Sequence, residues 1–165
     1  MRFLHLHAPE FWSQGAYRSK VQSPLEMVAS AVRALDADVD FGFALAQRLT
    51  KLGQPLYRKQ EPTGYSNASQ EWVNTAALVA RMNFAIALAA NRMPGVKVDP
   101  ARFGDEQDAQ RIAKELLLVD LSEEARGAIE NTLATSSDRQ TGNGPVPRAF
   151  VIAGLTLGSP DFQRR

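Results

Sequence analysis

The chain has 165 residues, enough for one domain with a hydrophobic core, and we expect residues 1–165 to form a single helical domain. Its 19 basic and 18 acidic residues nearly balance and form no long run of one sign, which argues against a nucleic-acid partner. The chain contains no cysteine, so disulfides, thiolate metal sites and a cysteine nucleophile are excluded. No apolar run approaches the roughly 20 residues that span a bilayer, and the N-terminus lacks the layout of a signal peptide.

The first two predicted helices follow from capping signals and helical periodicity. Ser23, Pro24 and Glu26 form a capping box with proline at the first helical position. The apolar stripe that follows has steps of three and four: Leu25, Val28, Val32 and Leu35. A second helix is predicted to begin near Asp40 and to end at Gly53, with its own stripe of Phe41, Leu45, Leu49 and Leu52.

The strongest helical pattern covers residues 74–93, which are rich in alanine and are closed by Pro94 and Gly95. Alanine at this density indicates that another helix packs closely against this one. The periodicity places a stripe of larger side chains on one face, which we expect to lie in the core: Leu78, Met82, Ile86, Ala89 and Met93.

Two further helices are predicted to begin at the caps Asp105 and Ser122, and a final short helix covers residues 148–158. The final apolar run is also compatible with a buried strand, because short runs do not distinguish the two structures. Strand-like alternation is otherwise scarce. The sequence therefore predicts an all-α fold of six to seven helices in a compact bundle-like array, with one long loop rich in proline and aromatic residues.

Little in the sequence resembles a catalytic or metal site. His5 and His7 lie on different faces of a helix, and no third ligand follows at a metal-site spacing, so we expect no metal. Residues 154–158 match the spacing of a hydrolase nucleophile elbow with threonine in place of serine, but they lack its strand-turn-helix context. We assign no catalytic residue and no cofactor.

The loop at residues 53–72 is the best candidate for a functional segment. It contains Tyr57, Tyr65 and Trp72, whose rings combine apolar area with a polar group, and loops often carry binding residues. The loop could instead have a structural role, which we favour, because a long connection between helices needs anchors. The predicted anchors are Pro55, Tyr57, Pro62 and Gly64.

An ordered set of residues resembles the C-terminal part of the bacterial family known as domain of unknown function 1800. Flanking segments at residues 9–12, 20–35 and 157–165 are similar to those that bracket the central motif in that family, so the resemblance covers nearly the whole chain. The central motif is Gly53, Gln54, Pro55, Pro62, Gly64, Tyr65, Trp72, Asn74, Leu78, Arg81, Asn83 and Phe84.

The resemblance implies a helical protein of uncharacterised activity. Family members are typically several hundred residues long, carry an export signal and are often encoded beside a second exported family, which implies a role in the periplasm or cell envelope. This chain resembles only their C-terminal portion. Apolar faces that would pack on an upstream part are then expected to lie exposed, so self-association or marginal stability is expected.

Two functions of different classes are compatible with these features. The first is a helical packing and interaction module, in which the loop docks on an upstream part of the family domain or on a protein partner. The second is a share of the active site of an enzyme, of the hydrolytic class, that upstream residues complete. Tyr65, Trp72 and Arg81 would then line a pocket in which arginine grips a carboxylate or phosphate.

Overall fold

A computed structural model describes residues 13, 15, 17–40, 43–104, 106, 108–136 and 146–164. Within these residues the fold is predominantly helical, which confirms the predicted class. A short two-stranded antiparallel sheet and one 3₁₀ helix, Ser69–Trp72, complete it. The strands are β1, Asp38–Val39, and β2, Val96–Lys97. The α-helices are α1, Pro24–Ala34; α2, Ala44–Lys51; α3, Thr75–Ala89; α4, Ala109–Leu117; α5, Glu123–Ser136; α6, Arg148–Gly158; and α7, Pro160–Gln163.

Helices α3 and α6 form the most extensive helix–helix contact of the described fold. Gly154 of α6 allows this approach, because a Cβ atom at that position would lie 3.0 Å from the backbone Cα of Ile86 and 3.4 Å from the Cβ of Ala89. Gly158, one turn later, faces Met82 in the same way at 3.4 Å. The alanine-rich sequence of α3 is therefore explained by close packing against a glycine-bearing partner helix.

The buried side chains form one cluster that α6 crosses near its middle. Ile152 and Leu157 of α6 are fully buried, as are Met27 and Leu35 from the first helical segment. Helices α4 and α5 pack on the side of α6 with Ile112 and other apolar residues. The final apolar run is thus a helix, and the alternative of a buried strand is wrong because the run follows a helical path through the core.

The helix ends agree with most of the capping signals. Ser23 and Glu26 form both hydrogen bonds of the capping box, with Pro24 in the first turn. The hydroxyl of Ser122 accepts a hydrogen bond from the backbone N–H of Ala125 at the start of α5. The cap of α4 is Asp108, which accepts from the N–H of Gln110, and the predicted cap Asp105 lies outside the described residues.

Two details of the predicted helices differ from the structure. Helix α2 begins at Ala44, later than the expected start near Asp40, because the backbone at Asp38–Val39 extends to pair with Val96–Lys97. Phe41, predicted on the stripe of α2, lies outside the described residues. Gly53 does follow the end of α2 with a φ of 91°, a conformation that favours glycine.

Both ends of the described chain meet beside α3. Val21 and Arg164 form an isolated antiparallel bridge, and the N–H of Gln22 donates to the carbonyl of Gln163 at 2.8 Å. The N–H of Val21 also donates to the hydroxyl of Ser69 in the 3₁₀ helix at 3.0 Å. One short extended segment therefore joins the loop to the end of the chain. None of the helices within the described ranges is long and apolar enough to cross a membrane.

Candidate functional site

The aromatic loop at residues 53–72 is held mainly by contacts within itself. Trp72 is 9% exposed, and its indole N–H donates to the carbonyl of Ser66 at 3.0 Å. The Tyr65 hydroxyl donates to the carbonyl of Pro55 at 2.6 Å, and the Tyr65 ring packs against Trp72 with 6.1 Å between ring centroids. The polar groups of both rings are thus already paired, which supports a structural role for them.

The four predicted anchors of the loop lie in different surroundings. Pro55 is half-buried and accepts the Tyr65 hydrogen bond, whereas Pro62 and Gly64 are exposed. Gly64 has a φ of 72°, so it serves a turn rather than a packing contact. Tyr57, predicted as an anchor, is instead fully exposed. Its backbone has a φ of 57°, in the left-handed region, and its exposed ring does not fasten the loop to the helices as expected.

Gln54, which the sequence marked only as part of the family motif, holds the start of the loop in place. It is buried, and its side-chain oxygen accepts a hydrogen bond from the N–H of Leu25 at 2.8 Å, in the first turn of α1. The first turn of a helix has N–H groups without partners in the helix, and Gln54 satisfies one of them. Sequence periodicity does not reveal such a contact, because the partners are 29 residues apart.

Arg81 is the largest fully buried side chain of the described residues, with 1% of its surface exposed. Helix α3 places it beneath the two paired segments that carry Gln22 and Gln163. Its Nη1 donates to the carbonyl of Gln22 at 2.8 Å and to the side-chain oxygen of Gln163 at 3.3 Å. Burial lowers the pKa of the guanidinium from its ordinary value.

The other edge of the same guanidinium has no partner among the residues that the structure describes. Nε and Nη2 of Arg81 are buried without a hydrogen-bond acceptor, and no carboxylate of the described residues forms an ion pair with the group. The side-chain oxygen of Gln22, close by, is also buried without a donor. A buried charge with unpaired N–H groups is costly, so this arrangement is unusual for a residue that serves stability alone.

The outer face of α3 is apolar and exposed. The stripe predicted to lie in the core is on this face, and that prediction is wrong for three of its five members: Leu78 is 43% exposed, Met82 44% and Ile86 37%. Ala89 and Met93 are buried as expected. The face against the core consists instead of Arg81, Phe84, Ala85, Leu88 and Ala89. Small residues face inward because α6 lies so close to α3.

We define the α3 surface as the exposed apolar side chains of Val73, Leu78, Val79, Met82 and Ile86. Isolated exposed apolar residues are common on proteins, but contiguous groups of them mark interaction sites. Leu78, Met82 and Ile86 recur at every fourth position, so they form a continuous stripe about 12 Å long on one side of the helix. Val73 and Val79 widen the stripe near its N-terminal end.

A groove of about 340 Å³ runs beside the N-terminal half of the α3 surface. Leu78, Val79 and Met82 form one wall, and residues from the end of the chain, including Gly158, Pro160 and Gln163, form the other. Among the described residues that line the groove, Arg164 is the one charged residue and none is acidic. Gln163 belongs both to the groove and to the pair of acceptors of Arg81, so the guanidinium lies next to the wall of the groove.

The three residues proposed as a site therefore fall into two groups. Tyr65 and Trp72 contact each other within the loop, whereas Arg81 contacts Gln22 and Gln163. The segment at Val21 and Gln22 connects the groups, because it binds Ser69 on one side and Arg81 on the other. The active-site interpretation requires Trp72 to be partly exposed in a concave pocket, but Trp72 is buried.

No group of three or more potential metal ligands occurs in the part of the chain that the structure describes. His5 and His7, weighed as metal ligands, lie outside the described residues. Residues 154–158, which match the spacing of a nucleophile elbow, form the C-terminal half of α6. They provide no exposed threonine for nucleophilic attack. Thr156 itself is fully buried.

Comparison with known proteins agrees with the resemblance drawn from the residues. No curated protein and no solved structure matches the chain. The family model described as "Protein of unknown function (DUF1800)" matches residues 4–164. Since the match covers nearly the whole chain, this protein belongs to the DUF1800 family.

Proposed function

We propose that this chain is a helical interaction module whose α3 surface binds an apolar segment of a second protein. The observation that carries the proposal is the exposed stripe of Leu78, Met82 and Ile86 on a helix whose opposite face is fully packed. A regular stripe of large side chains at every fourth position is suited to an extended or helical partner segment. The loop at residues 53–72 has a supporting role, since it anchors Trp72 next to the helix start.

The place of this module in the cell is a proposal that rests on the family resemblance alone. Members of the family are typically exported, so we propose that binding takes place in the periplasm or cell envelope. The alternative function, a share of an active site, has less support because Tyr65 and Trp72 use their polar groups within the loop.

Selection of displayed peptides tests the interaction directly. A random peptide library would be selected on the purified 165-residue chain, and the enriched peptides would be measured by fluorescence polarisation. We expect apolar peptides that bind the wild-type chain and lose at least about tenfold in affinity for Val79→Asp, because a carboxylate on the α3 surface would have to be desolvated.

Leu118→Asp is the matched control. Leu118 is also an exposed apolar residue, but it follows the end of α4 and belongs neither to the α3 surface nor to the lining of the groove. Its substitution is expected to leave peptide affinity unchanged. Peptides that bind both variants as well as the wild-type chain would refute the α3 surface as the docking site, and so would a library that yields no specific peptide.

A further inference from the structure

The free edge of Arg81 has the geometry that binds carboxylates. Nη1 is occupied by Gln22 and Gln163, which leaves Nε and Nη2 unpaired. These two nitrogens present parallel N–H groups at the spacing of the two oxygens of a carboxylate. Among the described residues the guanidinium thus lacks a counter-charge, and its Nε and Nη2 lack the acceptors that a buried arginine ordinarily has.

The position of Arg81 links this free edge to the groove. Arg81 follows Leu78 by one helical turn and precedes Met82, and both of these neighbours line the groove. Gln163 lines it as well and accepts from Arg81 at 3.3 Å, a longer contact than the 2.8 Å to Gln22. The side chain of Gln163 is therefore the weaker of the two holds on the guanidinium. Its Nε2 also donates to the carbonyl of Gly158 at 2.8 Å, so a rotation of Gln163 that opens a path from the groove has to exchange this hydrogen bond as well.

We propose that the segment which binds the α3 surface carries one aspartate or glutamate, whose carboxylate enters the groove and pairs with Nε and Nη2 of Arg81. This inference rests on the proposed function and specifies the chemistry of the partner. The charges of the groove are complementary to it, because Arg164 is cationic and no lining residue is acidic. Apolar side chains on either side of the acid would cover Leu78, Val79 and Met82.

A second copy of this chain does not supply the missing group through the same surface. A two-fold dimer would place one α3 surface against another. Since no described residue of the α3 surface or of the groove lining carries a carboxylate, these two surfaces would leave both copies of Arg81 unpaired. The stripe also extends to Ile86, beyond the residues that line the groove, so its length favours a protein segment over a small molecule.

A double-mutant cycle tests the pairing. Peptides selected on the wild-type chain would be synthesised with their acidic residue and with the matching amide, Glu→Gln or Asp→Asn. We expect the amide form to bind the wild-type chain about 30-fold more weakly, which is the lower range for loss of one partner of a buried charge pair. With Arg81→Met, the acidic and amide forms are expected to bind within about threefold of each other, because the carboxylate has lost its partner.

Arg164→Met is the matched control, since it removes the other arginine at the groove. We expect it to preserve the preference for the acidic form and to reduce mainly the salt dependence of binding, as a charge at the rim does. If Arg81→Met does not fold, as judged by circular dichroism, Arg81→Lys replaces it. Lysine keeps the charge but lacks the planar pair of donors, so the preference for the acid is expected to fall but not to vanish.

Two of the possible outcomes separate this inference from the proposed function. Selected peptides without an acidic residue that still lose affinity for Val79→Asp would overturn the pairing and leave the docking surface intact. An acid preference that persists in Arg81→Met and disappears in Arg164→Met would assign the carboxylate to the rim and overturn the pairing as well. Peptides that ignore Val79→Asp, or no selected peptide at all, would overturn both proposals.

Discussion

The loop at residues 53–72 and the outer face of α3 both depart from what their residue types suggest, but in opposite directions. The loop carries aromatic and basic residues typical of a binding site, yet Tyr65 and Trp72 satisfy each other and the loop backbone. The face of α3 carries leucine, methionine and isoleucine at the spacing of a core stripe, yet these side chains are exposed. Residue type alone therefore indicates neither burial nor function; the packing partner of each face decides.

The largest effect expected from this comparison is at Trp72. Trp72→Ala removes a buried indole and its hydrogen bond to Ser66, so we expect it to lower the free energy of unfolding by about 3 to 5 kcal/mol. Chemical denaturation followed by circular dichroism measures the change. Tyr57→Ala in the same loop is the control and should change stability by less than about 0.5 kcal/mol, because Tyr57 is fully exposed.

An unchanged midpoint for Trp72→Ala would show that the loop does not stabilise the fold. The loop would then again be a candidate binding segment, and it would no longer contrast with the α3 surface.

The packing of α6 on the inner face of α3 is tested by a pair of glycine substitutions. Gly154→Ala would bring a Cβ to 3.0 Å from the backbone of Ile86, so we expect a loss of about 1 to 3 kcal/mol of stability. Gly127 in α5 has nothing within 4 Å of its Cβ position. Gly127→Ala should therefore stabilise the protein by roughly 0.5 to 1 kcal/mol, through helix propensity.

Thermal melting of both variants measures the contrast. If Gly154→Ala were as stabilising as Gly127→Ala, α6 would not lie as close to α3 as the structure places it. The explanation of the exposed stripe, namely that α3 turns Ala85 and Ala89 toward the glycines of α6, would then fail.

The junction between the two regions is Asn74, which caps α3. Its side-chain oxygen accepts a hydrogen bond from the N–H of Ala77 at 2.8 Å. We expect Asn74→Ala to cost about 1 kcal/mol and Asn74→Gly only a few tenths, since glycine suits the cap position better than alanine. Equal losses in the two variants, measured by thermal melting, would mean that the cap contributes little at this junction.

The smallest effect on stability is expected on the α3 surface itself. Val79 is 56% exposed, so Val79→Asp should change the free energy of unfolding by less than about 1 kcal/mol, mostly through the lower helix propensity of aspartate. Leu88→Ala on the opposite face should cost about 2 to 5 kcal/mol, because Leu88 is 1% exposed. Denaturation midpoints of the two variants compare the faces of one helix. A loss at Val79 as large as that at Leu88 would contradict the exposure of the stripe.

Local signals in the sequence predict most of the helices. Ser23 with Glu26, Ser122 and the glycine after α2 indicate helix ends because capping is decided by residues three or four positions apart. The starts of α2 and α4, at Ala44 and Ala109, lie later in the chain than the sequence predicts. The first depends on pairing with Val96–Lys97, more than 50 positions away, which no local signal reports.

The orientation of α3 could not be predicted from its own sequence, because the helix is apolar on nearly all sides. Periodicity favours the face with the largest side chains, whereas the inner face was selected by the glycines of α6. The pair Gly154 and Gly158 is spaced like Ala85 and Ala89, and this match of small residues is the signal that could have identified the contact. The burial of Arg81 depends on acceptors 59 and 82 positions away, so it too required the structure.

Hydrogen–deuterium exchange of the wild-type chain, with and without a selected peptide, tests the docking surface most directly. The account predicts slower exchange on addition of peptide at residues 73–86 and 158–164, and no change at residues 53–68. Protection confined to residues 53–68 would contradict it, because binding would then belong to the loop rather than to α3.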